Sequence, residues 1–229
     1  MVLTWMKIKG WCQLMGSKFC TEKFSYDLPS VINPSARYVF FLHGKIVEKR
    51  GPNGRHRCFG IYDYHGIVKS FRNQGFVVIS EVRPQGTKLN KYAGKIERQI
   101  KTLLSYGLSP EQITVVGFSK GSAIALLVST KLKDLGINFV LMSGCTHNGT
   151  HVPNKKVIDQ SVHSMNGRFL HIYDVSDQKC DVCRRILKNV SAEVTFKEMM
   201  LKNGLGHGLF YRPRKDWIEP VTEWINQEH

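Results

Sequence analysis

Ser119 stands between Gly117 and Gly121, after the apolar run Ile113-Thr114-Val115-Val116 and before the small and aliphatic residues 122–128. This juxtaposition constrains the chain more than any other feature. The run before it reads as a buried strand and the segment after it as a helix. Glycines two residues to either side of the serine leave side-chain-free space where a strand turns sharply into a helix. The serine oxygen is then raised at the carboxyl edge of a sheet, beside a helix N-terminus whose partial positive charge favours anions. A serine so placed suits a nucleophile.

The rest of the chain repeats the same alternation. Apolar runs at 37–42, 76–81, 138–142, 168–173 and 194–198 predict further strands, and residues 62–74, 92–104 and 217–226 predict helices. Gly75 and Gly107 fall where the first two of these helices should stop. Strands of about five residues alternating with helices of about ten or more imply βαβ crossovers, hence an α/β fold with a mostly parallel sheet covered on both faces. Ligands of such sheets bind beyond the carboxyl ends of the strands, so chemistry-bearing residues are expected just after them.

The 229 residues, 42% of them hydrophobic, suffice for one substantial core, read here as a single catalytic domain at 36–229 preceded by an N-terminal arm at 1–35. No run of about 18 apolar residues predicts a transmembrane segment. Lys7 and Lys9 interrupt the apolar start of the chain, which favours a cytoplasmic protein over an exported one and leaves export open. A net charge of +15 attracts anions, but the excess is spread along the sequence without a basic block or a nucleic-acid module. No specific nucleic-acid partner is expected, and oligomeric state is not readable.

Six cysteines are too sparse for a disulfide scaffold. Cys180 and Cys183 form a lone CxxC with no second ligand pair, which reads as free thiols or a local disulfide rather than a metal site. Neither a metal nor a cofactor is expected.

An alkyl alcohol attacks an acyl carbon at neutral pH only if a base takes its proton, and an acid must orient that base. Of nine histidines, His207 follows the last predicted strand between Gly206 and Gly208, which let the loop bend sharply. Two acids follow the preceding strand. Asp174 ends it and reads as a loop-ordering turn residue, while Asp177 has more reach toward a histidine from the next strand. Asp177 is preferred and Asp174 is the alternative acid. The chain order Ser119, Asp177, His207 is that of α/β-hydrolases.

On Leu42-His43-Gly44, the elbow at 117–121, the Ser176-Asp177 turn and Gly206-His207-Gly208, the sequence resembles small bacterial α/β-hydrolases of the esterase and dienelactone-hydrolase-like kind, over residues 38–224. The resemblance implies a serine hydrolase acting through an acyl-enzyme on a small-molecule ester or thioester, with Ser119 as nucleophile, Asp177 as acid and His207 as base. It implies an oxyanion hole from the backbone N–H groups of Lys45 and Lys120, supported by His43, Gly44, Gly117 and Gly121. His43 is expected to hold its loop through a backbone hydrogen bond. Peptidases and acyltransferases share the same elbow, and a non-catalytic basic binding protein on this scaffold is a reading from another class.

Two departures stand out. Lys120 is large and charged where related esterases carry a modest side chain. The stretch 48–58 is long and basic, with Lys49, Arg50, Arg55 and Arg57 joining Lys45. It reads either as a solvated loop or as one wall of a pocket for an anionic acyl or leaving group. Too few residues separate Gly144 from Arg168 for a large cap domain.

Overall fold

The structure, a computed structural model, describes residues 27–132, 136–144, 165–177 and 194–227. The first 26 residues of the expected arm, the stretch 145–164 and the Cys180/Cys183 pair lie outside the described residues.

Strand β1 (Tyr38–Leu42) is followed by a short helix α1 (Lys45–Arg50) and a hairpin of β2 (Arg55–His56) and β3 (Gly60–Ile61). Then come α2 (Tyr64–Asn73), β4 (Val77–Ile79), α3 (Leu89–Ser105), β5 (Ile113–Phe118), α4 (Lys120–Ser129) and β6 (Asn138–Met142). β7 (Arg168–Asp174), β8 (Thr195–Leu201), a 3-10 turn (Gly206–Tyr211) and α5 (Lys215–Asn226) follow, and a short 3-10 turn (Pro110–Gln112) precedes β5. Six strands form one sheet in the order β4-β1-β5-β6-β7-β8, every pair parallel.

Alternation along the strands explains the two-sided core. Tyr38, Phe40 and Leu42 face one side of the sheet with Ile113 and Val115, against Ile96, Ile100 and Leu103 of α3 and the aliphatic residues of α4. Val39 and Phe41 face the other with Val116 and Phe118, against Ile67 and Phe71 of α2 and Trp217, Val221 and Trp224 of α5. The helices on each face present their apolar residues three or four apart, as a stripe facing the sheet requires. α4 is different, being buried at every position from Lys120 to Ser129. Leu28, Ile32 and Ala36 pack against the first core, which ties down the described end of the arm.

The predicted loop after β1 proves to be structured. Val47 and Glu48 of α1 are buried, and Tyr62 N–H bonds back to Gly54 O at 3.0 Å. A helix of six residues is too short to show a period, so its apolar pattern could not mark it.

The strand order places a switch point between β1 and β5. From β1 the chain moves outward to β4, crosses back to β5, and then runs the other way to β8. The carboxyl ends of β1 and β5 are adjacent, with Leu42 in register with Gly117. A crevice opens where successive connections diverge in this way.

His171 lies in the middle of β7, fully buried, with no hydrogen-bond partner at either ring nitrogen and the Glu198 carboxylate 3.8 Å from Nδ1. Burial pushes its pKa from 6.5 down to about 4. The folded state therefore keeps it neutral where the unfolded chain takes up a proton, so the stability it contributes is present above pH 6.5 and is lost as pH falls through 4. Removing the titration should reduce the loss of unfolding free energy between pH 7 and 4.5 by about 2–3 kcal/mol. Urea titrations of wild type and His171→Phe at the two pH values measure this, and equal losses in both proteins would contradict it.

Candidate active site

The turn from β5 into α4 puts Ser119 at φ 53°, ψ −112°, a backbone state that non-glycine residues seldom adopt. The surroundings enforce it. Ser119 N–H donates to Met142 O at 3.0 Å, and Ser122 Oγ donates to Gly117 O at 2.7 Å. A Cβ on Gly117 would lie 2.5 Å from the Gly121 backbone, and one on Gly121 only 1.8 Å from Leu42 O. Both glycines are steric necessities, as the spacing around the serine implied.

The turn after β1 lies directly alongside. A Cβ on Gly44 would approach the Phe118 ring to 2.9 Å and Ser119 Cβ to 3.5 Å. Lys45 and Lys120 are the first residues of α1 and α4, positions whose N–H groups have no acceptor within their own helix. His43 is fully buried, with Nδ1 2.8 Å from Gly44 O and Nε2 accepting from Arg83 N–H at 2.9 Å. Burial, reinforced by the Arg83 charge, holds its pKa well below 6.5. The neutral imidazole that donates from Nδ1 satisfies both contacts and braces the His43-Gly44 turn.

His207 enters from the far end of the chain on the 3-10 turn, where Gly206 at φ 53° makes the bend. Its ring centroid is 4.8 Å from that of Phe118, the neighbour of Ser119, and 5.9 Å from Phe59. Nδ1 lies 2.8 Å from Asp177 Oδ2. Asp174 is committed elsewhere. Its Oδ1 accepts from Ser176 N at 2.8 Å and Ser176 Oγ at 2.5 Å, and its Oδ2 from Asn203 N at 2.9 Å. Burial alone would raise the Asp174 carboxyl, but these bonds outweigh it and hold the pKa below the ordinary value. The two acids thus divide the work, one pinning the loops after β7 and β8 and the other meeting the imidazole.

The hairpin forms a wall next to His207. His56 stacks on Phe59 with centroids 4.4 Å apart, and Phe59 meets Tyr211 edge-on at 5.4 Å. A cleft beside this wall is lined by Cys58, Phe59, Gly208, Tyr211, Arg212 and Arg214. Burial pushes the Tyr211 hydroxyl up to about 12 against the opposing pull of Arg50, so it stays protonated. Of the basic residues in the β1–α2 stretch, Lys49, Arg50, Arg55 and Arg57 are exposed and Lys45 is half-buried. Burial, followed by repulsion from Lys49 and Lys120, lowers the Lys45 ammonium.

Sequence reasoning missed one charged cluster entirely. Glu48, Arg83 and Lys120 are buried together behind the two turns, with Glu48 bonded to both cations. The signal available was Lys120 itself, a charge inside an otherwise apolar and small-residue helix. Among the described residues, no group of three His, Cys, Asp or Glu side chains could hold a metal ion, and no helix is long and apolar enough to cross a membrane.

Comparison with known proteins gives this geometry a context. A search of curated proteins finds no match. Solved structures share the fold at low identity. SOBER1 of Arabidopsis thaliana is 16% identical, with a TM-score of 0.56 over 83% of this chain and 98% of its own. The Francisella virulence factor BioJ is 15% identical, with a TM-score of 0.57 over 86% of this chain and 78% of its own. An acylaminoacyl peptidase from Pyrococcus horikoshii is 16% identical, with a TM-score of 0.54 over 86% of this chain and 39% of its own. The sequence profile described as Phospholipase/Carboxylesterase matches residues 77–202, more than half of the chain and inclusive of the elbow. The chain therefore belongs to the Phospholipase/Carboxylesterase family and is a carboxylesterase-like α/β-hydrolase.

Proposed function

We propose that the protein hydrolyses a small carboxylic ester or thioester through an acyl-enzyme, with Ser119 as nucleophile, His207 as base and Asp177 as its acid. The observation that carries this reading is the 2.8 Å contact between His207 Nδ1 and Asp177 Oδ2, made beside a strained serine elbow. With Nδ1–H donated to the carboxylate, Nε2 keeps its lone pair and takes the Ser119 proton as Oγ attacks the acyl carbon. The amides of Lys45 and Lys120 receive the oxyanion. His207 returns its proton to the leaving group, then activates the water that releases the acid.

The cleft beside His207 supports an anionic substituent on the substrate. Arg212 and Arg214 are exposed and line it together with Phe59 and Tyr211. An exposed charge contributes little and is screened by salt, so the preference is modest.

Three measurements test this reading. A fluorophosphonate probe should label Ser119, and Ser119→Ala should lose both the label and hydrolysis of p-nitrophenyl acetate; full activity in that variant ends the proposal. Asp177→Asn should keep the thermal midpoint while kcat falls about 10³–10⁴-fold. Asp174→Asn should instead cost about 2–3 kcal/mol in urea titrations, because it weakens bonds to a charged acceptor. The reverse pattern would exchange the roles of the two acids. Finally, Arg212→Ala and Arg214→Ala should each lower kcat/KM for a hemisuccinate ester about 3–5-fold at low salt and leave the neutral acetate unchanged. Equal effects on both esters would remove the anionic preference.

A further inference from the structure

We propose that Glu48, Arg83 and Lys120 act as a buried ionic clamp that sets the spacing between the two backbone N–H donors of the oxyanion hole, making them positioning residues for the reaction. The inference rests on the assignment of those donors under the proposed function.

Each member comes from a different loop at the carboxyl edge of the sheet: Glu48 from the helix after β1, Arg83 from the loop after β4, and Lys120 from the elbow after β5. Glu48 Oε1 is 3.0 Å from Arg83 Nε, and Oε2 is 2.5 Å from Lys120 Nζ. The side chains are 2%, 0% and 10% exposed respectively. Lys120 Nζ also donates to Thr87 O at 2.9 Å, in the same loop as Arg83. The Arg83 guanidinium donates to His43 O as well, while its backbone N–H holds the His43 ring.

These contacts lock together the parts that carry the donors. Lys45 opens α1, and Glu48 lies one turn further along the same helix. Six residues form a helix too short to hold its own orientation in water, so α1 takes its direction from tertiary contacts. Glu48 supplies one of them, and its partner Lys120 is the residue that carries the second donor. One carboxylate thereby links the helix bearing the first donor to the side chain of the residue bearing the other.

The composition of the cluster argues for position over stability. Two cations share one buried anion, and Arg83 Nη1 has no hydrogen-bond partner. An apolar trio of similar volume would commonly be at least as stable, because desolvating charges is costly. Ionic contacts are directional where apolar packing is not, and a catalytic donor displaced by about 1 Å can cost about 10²-fold in rate.

The test uses Lys120→Met, which leaves Glu48 and Arg83 as a balanced pair and removes the bonds from the elbow to Glu48 and to Thr87 O. Rates are expressed per active site titrated with fluorophosphonate, so unfolded protein does not count. The expected result is a kcat for p-nitrophenyl acetate lowered about 10–100-fold with KM within about threefold. Affinity for a trifluoromethyl ketone, whose adduct places an oxyanion in the hole, should weaken by a similar factor. Lys120→Arg, which keeps a cation within reach of Glu48, should recover most of both. Wild-type kcat per titrated site in Lys120→Met overturns the clamp, as does a lost kcat with unchanged ketone affinity. In either case Ser119-dependent hydrolysis by the wild type leaves the triad reading intact; a wild type that neither labels nor turns over removes that reading and the clamp with it.

Discussion

The contact on which the rest of the site depends is backbone against backbone, where the first turn of α4 presses on the carboxyl end of β1. Gly121 approaches the Leu42 carbonyl so closely that a single methyl group would lie 1.8 Å from it. That approach is possible only because β1 and β5 are neighbours in register, with Leu42 beside Gly117. It brings the His43-Gly44 turn against Phe118 and Ser119, and it forces the positive φ of the serine. The strain at Ser119 is sustained by α4, which is buried along its whole length and has no room to relax.

Around this contact the charges are sorted by environment. On one side of the elbow, buried cations and a carboxylate hold the turns in place, and His43 is kept neutral by burial and by Arg83. On the other side, His207 keeps partial access to solvent and has a carboxylate at its Nδ1. Burial strips an imidazolium of its hydration, so the ring that braces the turn after β1 stays neutral. Asp174 and Asp177, three residues apart, are separated by the same logic. The acid saturated with N–H and O–H donors is fixed in its ionised form and closes the ends of β7 and β8, while its neighbour faces the imidazole.

Much of the fold was legible because the strands are buried on both faces. Runs such as Tyr38–Leu42 and Asn138–Met142 are apolar at almost every position, and the amphipathic stripes of α2, α3 and α5 are regular. Element ends were less legible. α3 begins at Leu89, three residues earlier than its periodicity announces, since Leu89 packs on the core without completing a visible stripe. β8 runs on to Leu201 because backbone pairing with β7 extends it past the point where side chains alternate clearly. α1 was invisible for want of length, and the hairpin after it was hidden in a polar, basic stretch whose folding depends on Phe59 and His56 packing over the Gly206–Tyr211 turn.

The sequence by itself determined the α/β class, the need for glycine at 117 and 121, and the order of the serine, acid and histidine along the chain. These follow from local sterics and short-range periodicity, which are written in consecutive residues. Only the tertiary structure decided which aspartate meets His207 and that Lys120 is a buried ion-pair partner. It also decided that the loop after β1 is a wall with a helix in it. Each of those outcomes depends on residues far apart in the chain arriving at the same sheet edge. Their charges and hydrogen bonds acquire partners only once the strands have paired.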